Sequence, residues 1–476
     1  MSTTSQAGKR IEALLDENSF VEIGAGITAR STDFNLKQEK TPSDGVVTGY
    51  GLIDGNPVYV YSQDVSVLNG SVGEMHAGKI VRLYDLALRT GAPVIGLLES
   101  AGLRLQEATD ALNAFGKIYQ KQTEASGIIP QISAVFGNCG GALAISAALS
   151  DFTFMETEKG KLFVNSPNCL DGNYTAKCDT SSAAFQSAET DNVDYCGSES
   201  EVLDAIRTLV SILPSNNDGE YDFQDTSDDL NRSLPSIEAS VQDPAIALSQ
   251  ISDDSIVFET KPAYAKEVVT AFIKLNGMTV GAIANRTALY DENGELAEKI
   301  EPYMTASGCV KAADFVNFCD AFEIPVLTLT NVKGFKACTC NEKKIAKASA
   351  KLTYAFANAS VPKVNVYVGE AFGSACIAMN SRALGADLTI AWPEAKIGTM
   401  DAKMAARILG DGKDASEVQT IEKEYSELQN GVKSAAAHGY IDEIVAPSDT
   451  RKYLIGAYEM LFTKNDGIPA KKHGTV

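Results

Sequence analysis

The sequence predicts an α/β protein made of two copies of one parallel-sheet domain. Three observations lead there: short apolar runs alternate with helix-like segments in βαβ order, landmark residues recur at one constant offset in numbering, and an acidic, weakly patterned stretch separates the two series.

The strand candidates are Val94–Leu98 and the segments 132–136, 325–329 and 364–368, each with the length and apolar content of a buried strand. Between the first two lies 105–124, and between the last two 343–359, both rich in Ala, Lys and Glu and of helical length. Strands joined through helices pair in parallel, because a crossover returns the chain to the same end of the sheet. The copies keep register: Pro93 and Pro325 differ in number by 232, Pro130 and Pro362 also by 232, and Gly141-Ala142 and Ser374-Ala375 by 233. From 214 to 244 the chain holds Asp218, Glu220, Asp222, Asp225, Asp228, Asp229, Glu238 and Asp243 against Arg232 alone. That segment reads as a solvated linker, closing an N-terminal domain over 1–244 and leaving a C-terminal domain over 245–476.

Composition removes several function classes. Forty-one Lys and Arg against 62 Asp and Glu give a net charge of −21, the wrong sign for a surface that tracks nucleic-acid phosphates. No apolar run reaches the roughly 18 residues of a membrane span, and the charged segment Lys9-Arg10-Ile11-Glu12 interrupts any signal-peptide core. Nine scattered cysteines read as free thiols in a reducing compartment, so the expected location is the cytoplasm. Three histidines, no Cys-x-x-Cys pair and the tight spacing of Cys338-Thr339-Cys340 argue against a metal site. Gly73 to Lys79 has the spacing of a phosphate loop, but Ile80 stands where a Ser or Thr must hold magnesium. This segment reads instead as a helix start with His76 and Lys79 near its surface. Asp54-Gly55 between two β-rich runs reads as a hairpin turn.

The segments with most chemical content are two glycine-containing turns after equivalent strands. One is Phe136-Gly137-Asn138-Cys139-Gly140-Gly141-Ala142 and the other Gly369-Glu370-Ala371-Phe372-Gly373-Ser374-Ala375, each opening into small helix-compatible residues. A strand that ends in small residues at a helix start exposes backbone N–H groups with the positive helix end behind them, and can hold an oxyanion. Close packing of helix on strand uses the same residues, and composition alone leaves both uses open. Two such turns in equivalent positions fit two carbonyl substrates meeting in one site.

These residues and others in order along the chain resemble the carboxyltransferase subunit of biotin-dependent acyl-CoA carboxylases, of the propionyl-CoA or acetyl-CoA carboxylase β type, and the related α subunits of acyl-CoA decarboxylases. The resemblance runs through Asp44-Gly45-Val46-Val47-Thr48-Gly49-Tyr50-Gly51, Gly73-Glu74-Met75-His76-Ala77, Gly91-Ala92-Pro93-Val94-Ile95-Gly96, Phe318-Cys319-Asp320-Ala321-Phe322 and Ala391-Trp392-Pro393. It implies two duplicated crotonase-like (ClpP/crotonase) domains, with acyl-CoA on the first and carboxybiotin on the second. It implies that the amides of Gly140 and Gly141 hold the thioester oxygen and those of Ser374 and Ala375 the ureido oxygen of biotin. Ala101, Gly102, Leu103 and Arg104 would form a loop near the CoA, Ala142, Phe372 and Gly373 would complete the turns, and Cys376 and Ile377 would line the acyl pocket. No metal is implied.

The resemblance further implies a dimer-based homo-oligomer, such as a hexamer, working with a biotin carboxyl carrier protein and a biotin carboxylase subunit. No biotin-attachment sequence is evident here: Ala402-Lys403-Met404 lacks the preceding Met. Coupling to a membrane would be indirect, through a sodium-pump partner, if the chain serves a decarboxylase. The segment 333–341 departs from the family's glycine- and proline-rich pattern, which leaves a silent scaffold homologue as a third alternative.

Overall fold

Asp54 and Gly55 both adopt positive φ, 49° and 81°, the backbone of a hairpin turn, and join Val46–Ile53 to Asn56–Gln63 as an antiparallel pair. In the computed structural model, which describes residues 5–31, 41–218, 226–291 and 293–464, that hairpin belongs to the larger sheet of the first of two compact units, Met1–Glu220 and Tyr221–Val476.

In the first unit the sheet order is Val21–Ile23, Val46–Ile53, Asn56–Gln63, Val94–Leu98, Gln131–Val135, Phe152–Glu156 and Tyr195–Gly197. The first two pairings are antiparallel and the rest parallel. The second unit repeats this with Val257–Thr260, Val268–Leu275, Met278–Asn285, Val326–Val332, Lys363–Phe372, Leu388–Ala391 and Glu443–Ile444, again two antiparallel pairings followed by four parallel ones. The register of the central pair is also repeated: Val94 stands opposite Gln131, and Val326 opposite Lys363, both partners displaced by the offset of the proline landmarks.

The helices behave as their residues require. Ala108–Ala125 and Ile345–Asn358 bury one stripe each, Phe115, Ile118 and Gln122 in the first and Leu352, Ala355 and Phe356 in the second, and leave charges outward. Leu98, Leu83, Val135 and Leu143 close the first core; Leu327, Val366, Ile390 and Trp392 close the second. Each fully buried apolar side chain of that size contributes about 1.5–3 kcal/mol relative to exposure.

Two expectations are corrected. Helix Glu74–Thr90 starts where expected, but His76 and Lys79 are buried. Lys79 Nζ donates to the Ser43 carbonyl at 3.1 Å and to Val46 O, and the His76 ring contacts Asp44 O at 3.0 Å. Lys311, the counterpart of Lys79 in the second unit, repeats the device, donating to the carbonyls of Lys261, Tyr264 and Val268 at 2.8, 2.9 and 2.7 Å. Within the expected linker, Glu220, Asp222 and Asp225 lie outside the described residues, but Leu234 and Ile237 sit in the core of the second unit. Two of the acidic groups around them are neutralised at close range: Asp228 by Arg232 at 2.8 Å and Arg451 at 3.3 Å, and Asp243 by Arg286 at 2.9 Å. Among the described residues no helix is long and apolar enough to cross a membrane.

His76 gives the first unit a defined acid response. Burial, then the Arg104 cation, pushes its pKa down to about 3 from the usual 6.5. Between those values the unfolded chain binds a proton that the folded chain refuses, so stability falls as pH drops from 6.5 toward 3, by up to about 1.4 kcal/mol per pH unit. Urea unfolding between pH 6 and 4 should show a shallower loss for His76→Gln than for the native chain; parallel curves would contradict this account.

Candidate functional site

The two glycine turns share one local construction. Asn138–Gly140 pairs in parallel with Lys161–Phe163 and passes into helix Ala142–Ala148. The end of Lys363–Phe372 pairs in parallel with Lys396–Gly398 and passes into helix Gly373–Ala378. Gly141 and Gly373 hold φ of 61° and 63°, turning strand into helix at a single position. These two glycines stand at the same offset as the prolines, so the backbone keeps the repeat that the letters shift by one. Gly141 therefore corresponds to Gly373, and Ala142 to Ser374.

This register reassigns the donor in the first turn. The Gly141 N–H, expected to meet a thioester oxygen, donates to Phe163 O at 2.9 Å and is occupied by the ladder. Ala142 and Leu143 open the helix, and among the described residues their N–H groups have no acceptor within the chain. The Ala142 N–H is therefore the donor this turn presents. Gly140 is needed for space, since a Cβ there would stand 2.7 Å from the Phe163 ring. The Tyr119 hydroxyl donates to Ala142 O at 2.5 Å and fixes the helix start.

The loop carrying Ala101 to Arg104 supplies a second donor. On one side Ala101 N–H bonds Asn69 O, Val72 N–H bonds Gly102 O, and Arg104 N–H bonds Val72 O; on the other Ser100 N–H bonds Asn138 O at 2.9 Å. The strand alternation therefore turns Leu103 N–H away from Val72 and toward the 138–141 side. A Cβ on Gly102 would lie 3.7 Å from Gly140 O, so loop and turn are adjacent. Ala101 is exposed at the loop's edge. Arg104 is not beside any open surface: it is 1% exposed, and its guanidinium bonds Asp44 at 2.6 Å, Glu107 at 2.9 Å and Ser71 O at 2.6 Å. The expected contact between Arg104 and CoA is thereby replaced by a positioning role, anchoring the loop from within.

In the second turn Gly373, Ser374 and Ala375 occupy the first helical turn, where amides have no intrahelical acceptor. Ser374 is exposed, while the Ala375 and Phe372 side chains are in the core. The matching loop donor is Phe335, which the sequence pattern does not single out. Met304 pairs with Phe335 and Lys336 N–H bonds Met304 O at 2.8 Å, repeating the arrangement of Val72, Leu103 and Arg104. The signal was present in the sequence: Gly334 precedes Phe335 as Gly102 precedes Leu103, at the offset of the prolines.

Beside the second turn lies a cavity of about 630 Å³. Gly373, Ser374, Cys376, Ile377, Tyr367 and Thr399 form one wall, and Tyr425, Gln429, Ser434 and His438 the other. The Cys376 thiol lies 3.9 Å from the Tyr367 hydroxyl, and burial pushes its pKa up to about 11, so it is a neutral wall group. Glu370, at the strand end, pairs with Lys333 at 2.7 Å and raises that lysine's pKa. The lining is mostly apolar, with hydroxyl and amide groups and the Arg382 guanidinium, itself paired with Asp442, at its edges.

The chain matches the carboxyl transferase domain family over residues 4–476. It is 37% identical over 501 residues to the propionyl-CoA carboxylase beta chain of Roseobacter denitrificans, covering 99% of this chain and 93% of that one. It is 36% identical over 495 residues to the methylmalonyl-CoA decarboxylase subunit alpha of Propionigenium modestum, covering 99% and 92%. The structure superposes on the transcarboxylase 12S crystal structure with hydrolysed methylmalonyl-coenzyme A bound, with a TM-score of 0.90 at 34% identity, covering 99% of this chain and 93% of that one.

Glycine substitutions separate conformation from space. Gly141→Ala should destabilise by about 1–3 kcal/mol, because φ 61° strains any L side chain although no atom lies within 4 Å of the added methyl. Gly116→Ala, inside helix Ala108–Ala125 with equally open surroundings, should stabilise by about 0.5–1 kcal/mol. Urea denaturation of both variants checks the contrast; equal signs would refute it.

Proposed function

Because the chain belongs to the carboxyl transferase family, with two crotonase-like domains, we propose that it moves CO₂ between carboxybiotin, held on a separate carrier chain, and the α carbon of a short acyl-CoA. The acyl acceptors that fit are acetyl-CoA and propionyl-CoA, giving malonyl-CoA and methylmalonyl-CoA. The observation behind this reading is the duplicated cradle: Leu103 with Ala142 in the first unit, and Phe335 with Ser374 in the second.

In the first unit the thioester oxygen accepts from Ala142 and Leu103 N–H. Removing a proton from the α carbon shifts negative charge onto that oxygen, and two fixed amides favour this charged state over the neutral thioester. Gly140 lets the Phe163 ring close against the back of the turn, and the enclosed Arg104 network keeps the loop amide in place. In the second unit the cavity of about 630 Å³ beside Ser374 would receive the biotin bicycle, with the amides of Ser374 and Phe335 as donors to its ureido oxygen. Gly373 is required by its φ of 63°, since a Cβ there would only reach ordinary contact with Thr399 O at 3.4 Å. Carboxybiotin supplies activated CO₂ and, after releasing it, a basic ring nitrogen. No side-chain acid or base is required of this chain.

Partners follow from the chemistry: a carrier that brings biotin, a biotin carboxylase subunit for the ATP-dependent step, and further copies of this chain in a dimer-based oligomer, all in the cytoplasm. The 36% identity to a decarboxylase α subunit favours a second reading in which the same cradles run the transfer from malonyl-type thioesters to biotin.

Proline tests the amides selectively, since it deletes N–H yet suits the first turn of a helix. With free biotin and methylmalonyl-CoA, Ala142→Pro and Ser374→Pro should each lower kcat about 100- to 1,000-fold with melting temperature nearly unchanged. Native turnover in either variant, or none in the unmodified chain, would overturn the proposal.

A further inference from the structure

Just past Phe335 the chain carries a pair of thiols that the transfer chemistry does not use. Cys338 and Cys340 lie with their sulfurs 2.9 Å apart. Cys340 is exposed and Cys338 half-buried, whereas Cys139, Cys309, Cys319 and Cys376 are buried. Cys338 is extended, at φ −151° and ψ 153°, and caps the short helix Thr339–Glu342. A helical residue between two cysteines sets their Cα atoms roughly 5.4 Å apart, within the span a disulfide bridges. The Cys340 thiol, the Asn341 backbone N–H and the Lys336 cation hold the Cys338 pKa below the ordinary thiol value, which favours the thiolate.

The surroundings tie this pair to the second cradle. Asn341 is buried, accepts from Ala306 N–H at 2.7 Å and donates to Lys336 O at 2.8 Å, so the cysteine turn is fastened to the segment next to Phe335. Gly334–Phe335 in turn packs against helix Gly373–Ala378. A change of shape at 338–340 is therefore passed over a short stretch of chain to the loop amide.

We infer that Cys338 and Cys340 form a thiol-modification site, a dithiol that closes to an internal disulfide by exchange with a low-molecular-weight disulfide and thereby displaces the Phe335 amide. In the first step the Cys338 thiolate attacks one sulfur of the small disulfide, whose S–S bond breaks to release one small thiolate. In the second the Cys340 sulfur, giving up its proton, attacks Cys338 in the mixed disulfide and releases the second small thiolate. The protein dithiol loses two electrons and two protons, and the small disulfide becomes two thiols.

The effect on turnover rests on the carboxyltransferase reading; formation of the disulfide does not. The full-length chain is equilibrated in reduced and oxidised glutathione, alkylated and mapped by peptide mass spectrometry, with methylmalonyl-CoA turnover measured on the same samples. The expected result is a Cys338–Cys340 peptide lighter by two hydrogens, restored by dithiothreitol, with turnover falling about tenfold or more as it forms. Cys340→Ser should keep its turnover in oxidised buffer. Glutathione left on Cys338 without internal closure, or closure with unchanged turnover, would overturn the inference. Absent turnover in the fully reduced chain would count against the carboxyltransferase reading alone, because the mass measurement stands without it.

Discussion

A parallel strand that ends in a left-handed glycine and gives directly onto a helix leaves the first helical N–H groups without an acceptor in their own helix. The proposed chemistry of this protein is arranged around that deficit. Gly141 and Gly373 set the turn, Phe163 and Thr399 border it, and the loops at Leu103 and Phe335 bring a second amide to the same place. Hydrogen-bond networks back the loops, Arg104 buried with Asp44 and Glu107 in one unit, and Asn341 bonded to Lys336 O beside Phe335 in the other. Preorganised amides of this kind act without reorganising when charge develops, which is why a site with no acid–base pair can still carry out chemistry.

Much of the fold was legible because its central strands are buried on both faces and read as uninterrupted apolar runs. Val94–Leu98 has the bounds expected of it, and the proline landmarks at 93, 130, 325 and 362 mark the strand starts in both units. Charged residues were misread where their partners come from far along the chain. Arg451 neutralises Asp253 and Asp228, and no local pattern announces a counter-charge so distant in sequence. For that reason the stretch around Leu234 and Ile237 looked solvated, and Lys79 looked superficial when loop carbonyls were waiting to receive it.

The site was legible in part. Gly140, Gly141, Gly373 and Ser374 lie in the two turns that composition singled out, but matching letters put Gly141 against Ser374, whereas backbone conformation puts it against Gly373. The donor in the first turn moved one position as a result, from Gly141 to Ala142. Phe335 was missed because a backbone amide leaves no mark on side-chain identity; the repeat offset from Gly102 to Gly334 and the ladder with Met304 locate it. Arg104 was recognised as important for a reason the structure replaces, since its cation is fully enclosed.

The twin lysines have a bearing on chemical self-protection. Acyl-CoA thioesters are electrophiles, and uncharged amines are the form they acylate. Burial brings Lys79 to about 8 and Lys311 to about 7, values at which an accessible amine would be a good target. Enclosure beneath the carbonyls of Ser43, Val46, Tyr264 and Val268 keeps reagent and amine apart. The protein thus keeps two structural amines, each committed to hydrogen bonds with oxygen acceptors, away from the very class of metabolite it handles.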